Sequence, residues 1–182
     1  VVAPTHSKMN ILDTDTYLRG DFDIIIHSAA YTNLLKAEKE DKTLCYMVNV
    51  LGTKLLCEFY SNSKFVYISS EYASNPVNWY SWTKKWGEDV VKEFRSNYLI
   101  IRTLFKPYPF PHMRACVDQW TMGDYVDIIA KQIANKINES GIIWTGTGRK
   151  TTYELALKSR PEVEQCLVED IKEINLPKDY VV

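Results

Sequence analysis

Residues 64–102 read KFVYISSEYASNPVNWYSWTKKWGEDVVKEFRSNYLIIR, and this segment indicates the fold class most strongly. It opens on the apolar run Lys64–Ser69, whose β-branched and aromatic residues are typical of a buried strand. From Tyr80 to Arg95 apolar side chains recur at helical spacing, which predicts an amphipathic helix. A second apolar run, Tyr98–Arg102, follows at once. The order strand, helix, strand predicts a parallel sheet with right-handed crossovers.

The flanking sequence extends this pattern in both directions. Upstream, the β-branched run Asp23–His27 predicts another buried parallel strand. Between Lys36 and Tyr60, apolar residues recur at helical spacing over more than one helix length, which predicts helical structure. Gly52 is the residue in this segment that favours a helix least. Downstream, three prolines in Lys106–Pro111 exclude a helix or a central strand and predict a loop. Beyond this loop we predict a helix over 123–137, a strand over 141–144 and a helix over 153–158.

Composition narrows the classes of function. The 182 residues carry 22 basic and 23 acidic side chains, for a formal net charge of -1. We expect no nucleic-acid partner, because phosphate recognition needs an excess of Lys and Arg on one face. No apolar run reaches the roughly 18 to 20 residues of a membrane span, and the N-terminus lacks the apolar stretch of a secretory signal. We therefore expect a cytoplasmic protein with no membrane association.

The cysteines and histidines do not indicate a metal site. The four cysteines Cys45, Cys57, Cys116 and Cys166 lie far apart and include no C-x-x-C pair. Neither a zinc site nor a dense disulfide framework is expected, and reduced thiols are the simplest interpretation. The histidines form no ligand cluster, and His27 at a buried strand end is more often a satisfied core histidine than a catalyst.

The candidate chemistry is concentrated in Tyr80-Ser-Trp-Thr-Lys84, since positions four apart lie on one face of a helix. An ammonium near a phenol stabilises phenolate and lowers the tyrosine pKa from about 10, which suits proton transfer during carbonyl reduction. A lone Y-x-x-x-K is more often a pair of surface residues. Here, however, Ser69–Tyr72 places hydroxyls at the carboxyl end of the preceding strand, the edge where open α/β sheets bind ligands.

These residues resemble the extended short-chain dehydrogenase/reductases, and within them the dTDP-4-dehydrorhamnose reductase-like group. The family's segments follow in order as Ile11–Asp15, the A-A-Y-T-like His27–Thr32, the V-N-x-x-G of Val48–Gly52, the I-S-T-D-Y-like Tyr67–Tyr72, and Tyr80–Lys84 with Gly87 and Glu88. The resemblance implies an N-terminally truncated Rossmann-like parallel sheet with flanking helices. It implies one domain over 1–182, with a cofactor-binding core over 1–105 and a C-terminal substrate-side extension over 106–182.

The resemblance also implies catalytic roles for four residues. Tyr80 corresponds to the general acid toward a substrate ketone. Lys84 corresponds to the residue that holds the nicotinamide ribose and tunes Tyr80, and Ser70 to the one that orients the carbonyl. Glu71 occupies the position where this group often has Asp. The reaction so implied is reduction of a 4-keto-6-deoxy sugar on a nucleotide carrier.

The cofactor implied by the resemblance is NADP(H) or NAD(H), a choice that the sequence leaves open. Ala29, Ala30 and Tyr31 correspond to residues that line the cofactor, and Asp13 to one beside the adenine. For Asn49, support of the site from the neighbouring helix and a purely structural role are both open. The sequence leaves the oligomeric state open, and a homodimer is one of the alternatives.

Two departures from the family pattern stand out. The sequence contains no G-x-x-G-x-x-G or G-x-G-x-x-G near its beginning, so either the chain is a fragment or it has lost ordinary dinucleotide binding. The interval from Ser70 to Tyr80 is short, which predicts a more open pocket. Residues 145–151 contain a glycine turn that does not fit the P-loop pattern, and Thr151 or Thr152 is expected to cap the following helix.

Three functions are therefore compatible with the sequence. The first is an NAD(P)-dependent nucleotide-sugar reductase. The second is a related epimerase or dehydratase, since a shared fold does not settle the chemistry. The third is a catalytically silent nucleotide-sugar or cofactor-binding module. The combination of Ser70, Tyr80 and Lys84 favours the reductase.

Overall fold

The structure is a computed structural model, and it describes residues 1–179. Its strands are β1 Ile24–His27, β2 Lys64–Ile68, β3 Tyr98–Arg102, β4 Phe105–Lys106, β5 Arg114–Cys116, β6 Trp120–Thr121, β7 Asp124–Tyr125, β8 Gly141–Trp144, β9 Lys150–Thr151 and β10 Glu164–Cys166. Its α-helices are α1 Leu34–Lys39, α2 Lys42–Tyr46, α3 Gly52–Phe59, α4 Trp79–Phe94, α5 Val126–Lys136 and α6 Thr152–Leu157. A π-helical turn over Met47–Leu51 joins α2 to α3, and short 3₁₀ turns lie at Thr14–Thr16, Glu71–Ser74 and Val168–Asp170.

The central sheet has four parallel strands in the order β1-β2-β3-β8. Ile26 of β1 pairs with Val66 of β2, and Val66 in turn pairs with Leu99 of β3. The four strands lie within the ranges predicted from the sequence, and the parallel, Rossmann-like α/β fold is confirmed. Because the strands are parallel, their carboxyl ends meet at one edge of the sheet.

Helices cover both faces of this sheet. Phe65 and Tyr67 point to one face, where α3 and α4 pack through residues such as Leu56 and Val91. The alternate residues point to the other face, where Ile133 of α5 packs against them. Each fully buried Val, Leu, Ile or Phe contributes about 1.5–3 kcal/mol to folding, so these two layers hold the sheet edge in place.

The helical region between β1 and β2 differs from the expected continuous stripe. Asn33 caps α1 through a hydrogen bond from the Lys36 backbone N–H to its side chain, and the helix ends at Lys39. The chain remains helical through Gly52, the residue expected to weaken it. A Cβ at Gly52 would lie 2.8 Å from Ile11 Cδ1, so glycine there lets the Ile11 side chain pack closely against the helix.

The C-terminal part consists of short paired strands and two helices. The strand pairs β4 with β7, β5 with β10 and β6 with β9 were not predicted from the sequence. The helix predicted over 123–137 begins only at Val126, because Asp124 and Tyr125 pair with β4. The helix expected to start near residue 153 is α6, which Thr151 caps in a reciprocal capping box with Glu154. The division of the domain near residue 105 stays a prediction, and residues 180–182 of that range lie outside the described residues.

Within residues 1–179, no helix is both long and apolar enough to cross a bilayer. In the same part of the chain, no group of three or more His, Cys, Asp or Glu side chains is arranged to hold a metal ion.

Candidate active site

Tyr80 and Ser70 meet at the carboxyl edge of the central sheet. Ser70 follows β2, and its hydroxyl oxygen accepts a hydrogen bond from the Tyr72 backbone N–H at 3.2 Å, which fixes the side chain. Tyr80 lies in the first turn of α4, whose start is set by Asn78 in a capping box with Ser81. The Tyr80 hydroxyl lies close enough to the Ser70 side chain for Ser70 to lower the pKa of Tyr80. The structure thus brings together these two residues, which the sequence analysis selected independently.

Tyr80 is held in its neutral form. Burial raises the pKa of Tyr80 to about 12, although the nearby Ser70 side chain lowers it. This direction is opposite to the lowering expected from the Tyr–Lys spacing, because burial penalises the phenolate by more than its neighbours favour it. A phenol that keeps its proton at neutral pH can act as a proton donor.

Lys84 lies beneath this pair in the interior of the protein. Its side chain is 2% exposed, and its ammonium donates a hydrogen bond to the Ile68 carbonyl at 2.9 Å. The same ammonium lies 4.1 Å from the ring centre of Tyr67, at cation–π distance. Burial lowers the pKa of Lys84 to about 7, while Glu88 and Cys45 raise it. Lys84 is therefore poised between its charged and neutral forms near neutral pH.

A buried ion pair stabilises the helix that carries Tyr80 and Lys84. Glu88 on α4 is fully buried and accepts two hydrogen bonds from the Arg102 guanidinium, at 2.9 and 2.7 Å. The Ser69 hydroxyl donates a third hydrogen bond to the same carboxylate at 2.6 Å. Glu88 thereby joins α4 to the ends of β2 and β3. From the sequence, Glu88 was predicted only as part of the family pattern, and no role was predicted for Arg102.

Gly87 allows α4 to approach the sheet closely. A Cβ at this position would overlap the Tyr67 hydroxyl and would lie 2.9 Å from the Asn49 carbonyl oxygen. Both neighbours are buried and cannot move away freely. Glycine here sets the depth at which α4 sits against the sheet, and so the height of Tyr80 above the strand ends.

Asn49 connects the loop after β1 to the Tyr80 helix. Its amide oxygen accepts a hydrogen bond from the Tyr31 backbone N–H at 2.8 Å, and its amide N–H group donates to the Tyr31 carbonyl at 3.2 Å and to the Thr83 hydroxyl at 2.9 Å. Cys45 lies against the same groups, with its sulfur 3.5 Å from the Asn49 amide nitrogen and 3.4 Å from the Thr83 hydroxyl. Thr83 and Cys45 were missed from the sequence, since their partners are distant along the chain.

The residues expected to line a cofactor lie in the loop after β1. Ala29 is exposed and Ala30 is half-buried, so their small side chains leave open space at the carboxyl end of the strand. The Tyr31 hydroxyl donates a hydrogen bond to Asp41 at 2.6 Å, and this bond raises the pKa of Tyr31 to about 12. Asp13, by contrast, is exposed and caps its own 3₁₀ turn by accepting a hydrogen bond from the Asp15 backbone N–H. Its expected place beside an adenine stays a prediction.

Glu71 faces the C-terminal part of the chain. Its fully buried carboxylate accepts a hydrogen bond from the Thr121 hydroxyl at 2.6 Å and from the Met122 backbone N–H at 3.1 Å. Burial raises the pKa of Glu71 to about 7, and these hydrogen bonds oppose the shift. The two oxygens tie the end of β2 to the segment before β7, and a catalytic role for Glu71 stays a prediction.

A segment that we call the C-terminal strap, residues 167–176, returns to the active site from β10. The Asn78 side chain donates a hydrogen bond to the Asn175 carbonyl at 2.8 Å, and Leu176 packs in one cluster with Tyr80 and Leu104. The strap and Val77 line a groove of about 440 Å³. The C-terminal part of the chain therefore reaches the Tyr80 helix.

His27 is a structural residue, as the sequence analysis indicated. The ring lies at the buried end of β1, with Nε2 2.9 Å from the Thr53 hydroxyl. Burial, reinforced by the charge of Lys84, lowers the pKa of His27 to about 3. The imidazole is neutral at physiological pH and links β1 to α3.

The chain is similar in sequence to proteins of one enzyme group. A sequence model described as the RmlD substrate binding domain matches residues 1–135. A dTDP-4-dehydrorhamnose reductase from Mycolicibacterium smegmatis is 27% identical over 157 residues, which cover 74% of this chain and 48% of that protein. The chain thus spans about half the length of the curated relative that it matches.

Two crystal structures share the fold. The dTDP-4-dehydrorhamnose reductase of Clostridium acetobutylicum has a TM-score of 0.81 and 21% identity, over 97% of this chain and 79% of that chain. The dTDP-4-dehydrorhamnose reductase of Bacillus anthracis, in complex with NADP, has a TM-score of 0.72 and 24% identity, over 90% of this chain and 74% of that chain. Since the family model covers residues 1–135, well over half of the 182, the chain belongs to the RmlD substrate binding domain family.

Proposed function

We propose that the chain carries the active site of an NADP(H)-dependent reductase that acts on a nucleotide-linked 4-keto-6-deoxy sugar. Tyr80 is the general acid, Ser70 orients the substrate carbonyl, and Lys84 binds the cofactor ribose. Cytoplasmic residence and a homodimer stay predictions from the sequence.

The closeness of the Tyr80 hydroxyl to the Ser70 side chain at the carboxyl edge of the sheet is the observation that carries this proposal. A carbonyl oxygen placed between the two hydroxyls would receive hydrogen bonds from both as negative charge develops on it. Because the pKa of Tyr80 is raised to about 12, its phenol holds the proton that the reduced oxygen requires. Ser70 is already fixed by the Tyr72 backbone N–H, so it needs little reorganisation to orient a substrate.

The groups around Tyr80 fit a nicotinamide cofactor. An ammonium has three donors, and the Lys84 ammonium donates one hydrogen bond to Ile68, which leaves donors for ribose hydroxyls. Ala29 and Ala30 offer open space at the neighbouring strand end. When bound, NADPH supplies the hydride, and the protein supplies the proton and the orientation. The reductase of Bacillus anthracis with a similar fold binds NADP, which favours this cofactor over NADH.

The proposed substrate class follows from the relatives. The Mycolicibacterium smegmatis protein and the two solved structures are all named dTDP-4-dehydrorhamnose reductases, and that name describes a ketone on a nucleotide-linked deoxysugar. The neutral phenol of Tyr80 suits the reductive direction, in which the enzyme donates a proton to the carbonyl oxygen.

A second candidate is a binding module without turnover. The observation that favours it is the direction of Lys84, whose ammonium donates to the Ile68 carbonyl and lies over Tyr67. In that position Lys84 joins α4 to the end of β2, a contact that needs no reaction.

The test is NADPH oxidation, followed at the nicotinamide absorbance, with dTDP-4-keto-6-deoxy sugar as the substrate. We expect turnover by the wild-type chain and a loss of about 10²–10⁴-fold in kcat for Tyr80→Phe, the range contributed by general acid catalysis. Tyr98→Phe, at the opposite end of β3, is the matched control and is expected to keep full activity. Cofactor binding without turnover would favour the binding module. Equal rates for Tyr80→Phe and wild type would refute Tyr80 as the acid.

A further inference from the structure

Cys116 and Cys166 occupy matching positions on two paired strands. They are 50 residues apart in the sequence, yet β5 and β10 are parallel and place Cys116 directly opposite Cys166. Side chains at matching positions of neighbouring strands project to the same face of the sheet. The two sulfur atoms are accordingly 3.5 Å apart.

The backbone on both sides of this pair is fixed. The Thr152 hydroxyl donates a hydrogen bond to the Cys116 carbonyl at 3.0 Å and accepts one from the Cys116 N–H at 3.2 Å. The Val117 N–H donates to the Cys166 carbonyl at 3.0 Å. Neighbouring strands lie about 4.8 Å apart, within the Cα separations that a disulfide spans. Small side-chain rotations are therefore enough to bring the sulfur atoms to bonding distance.

We propose that Cys116 and Cys166 form a reversible disulfide by exchange with a small disulfide oxidant such as oxidised glutathione. The Cys116 or Cys166 thiolate attacks the oxidant, forms a mixed disulfide and releases one reduced thiol. The second protein thiolate then attacks the mixed disulfide, which releases the other reduced thiol. Two electrons pass from the cysteine pair to the oxidant, and the two protons lost by the cysteines go to the released thiolates.

The chain's other cysteines offer no such pair. Cys57 is buried in the core cluster between α3 and the central sheet, and Cys45 lies beside Thr83 under the active site. Cys116 and Cys166 instead share a separate apolar cluster with Val168 at the base of the C-terminal strap. A disulfide there would fasten the strap's first residues to β5.

Exchange is expected to be slow in the folded protein. Cys116 and Cys166 are 2% and 6% exposed, and burial raises the pKa of Cys116 to about 12. Since the thiolate is the attacking form, formation is expected mainly during folding or when β10 opens. The experiment therefore includes a refolding step, so that burial does not block the oxidant.

The experiment unfolds the full chain in urea, refolds it in a glutathione redox buffer and compares it with protein refolded under dithiothreitol. We expect two of the four thiols to become unreactive toward a thiol reagent after denaturation, with a mass loss of about 2 Da and a tryptic peptide that joins Cys116 to Cys166. Closing a loop of 50 residues is expected to raise Tm by roughly 10 °C, reversed by dithiothreitol.

Cys166→Ala is the variant and keeps the apolar character of the cluster. It is expected to fold, as shown by its circular dichroism spectrum, and to show no oxidant-dependent rise in Tm. Should it fail to fold, peptide mapping of the wild-type chain decides alone. Four titratable thiols after oxidative refolding, or a crosslink that joins any other pair of cysteines, would overturn the proposal.

Discussion

Replacing Lys84 by methionine should make the protein more stable at neutral pH. The fall in the pKa of Lys84 from 10.5 to about 7 corresponds to a penalty of about 5 kcal/mol against the buried ammonium, at about 1.4 kcal/mol per pKa unit. At pH 7 the folded protein holds about half of this lysine neutral, so about 4 kcal/mol of the penalty remains. Methionine loses the hydrogen bond to Ile68, at about 1–3 kcal/mol, so we expect a net gain of about 2 kcal/mol.

The dependence of this gain on pH separates the lost charge from altered packing. Above pH 7 the unfolded chain keeps the Lys84 proton while the folded protein releases it, so raising the pH stabilises the wild-type protein. Lys84→Met has no such group, and its advantage should shrink by about 2 kcal/mol between pH 6 and pH 8.5. Cysteine thiols of the unfolded chain begin to titrate near the upper end of this window, but both proteins contain the same cysteines, so this contribution cancels in the difference.

The assay is urea unfolding of wild type, Lys84→Met and Lys85→Met at several pH values across this window. Lys85 is the matched control, because it lies on the outer side of α4 and pairs with Asp89 at 2.7 Å. Its replacement should leave the pH dependence of the wild-type protein unchanged. A stability difference between Lys84→Met and wild type that stays constant from pH 6 to pH 8.5 would show that the buried charge of Lys84 is not its cause.

Two further substitutions test how α4 is held. Gly87→Ala should destabilise the protein by about 1–3 kcal/mol in urea unfolding, because the new methyl group overlaps Tyr67 and crowds Asn49. An unchanged unfolding midpoint would contradict this packing. Glu88→Gln should lower the free energy of unfolding by about 3–5 kcal/mol, because Arg102 loses its buried counter-charge, and Arg102→Lys with Glu88 intact should lower it less. Equal stability of Glu88→Gln and wild type would show that the ion pair is dispensable.

The central fold could be predicted from the sequence because its strands are continuous apolar runs. The predicted strand Tyr98–Arg102 has the same bounds as β3 in the structure. A continuous apolar run of this kind is typical of a strand that is buried on both faces. The short strands after β3 could not be found. A two-residue strand such as Phe105–Lys106 has no periodicity, and only its partner near Asp124 makes it a strand. For the same reason α5 begins later than its apolar pattern suggested.

The sequence proposes members for the candidate site, and their roles stay predictions; the geometry of the site was less accessible from the sequence. Spacing and the strand end identified Ser70, Tyr80 and Lys84 without any contact information. The direction of the Lys84 ammonium depends on the Ile68 carbonyl and the Tyr67 ring, which α4 reaches only because Gly87 allows close packing. Desolvation at that depth reverses the expected shift in the pKa of Tyr80, and local sequence does not report burial.

Binding of NADPH, followed by quenching of tryptophan fluorescence, is the sharpest test of the proposed cofactor site. The comparison is between wild type, Lys84→Ala and the surface control Lys85→Ala. We predict saturable binding to wild type and to Lys85→Ala, and binding weakened at least tenfold in Lys84→Ala, as expected when about 1.4 kcal/mol or more of ribose contact is lost. An absence of binding to the folded wild-type chain at millimolar NADPH, or equal affinities for Lys84→Ala and wild type, would contradict the account.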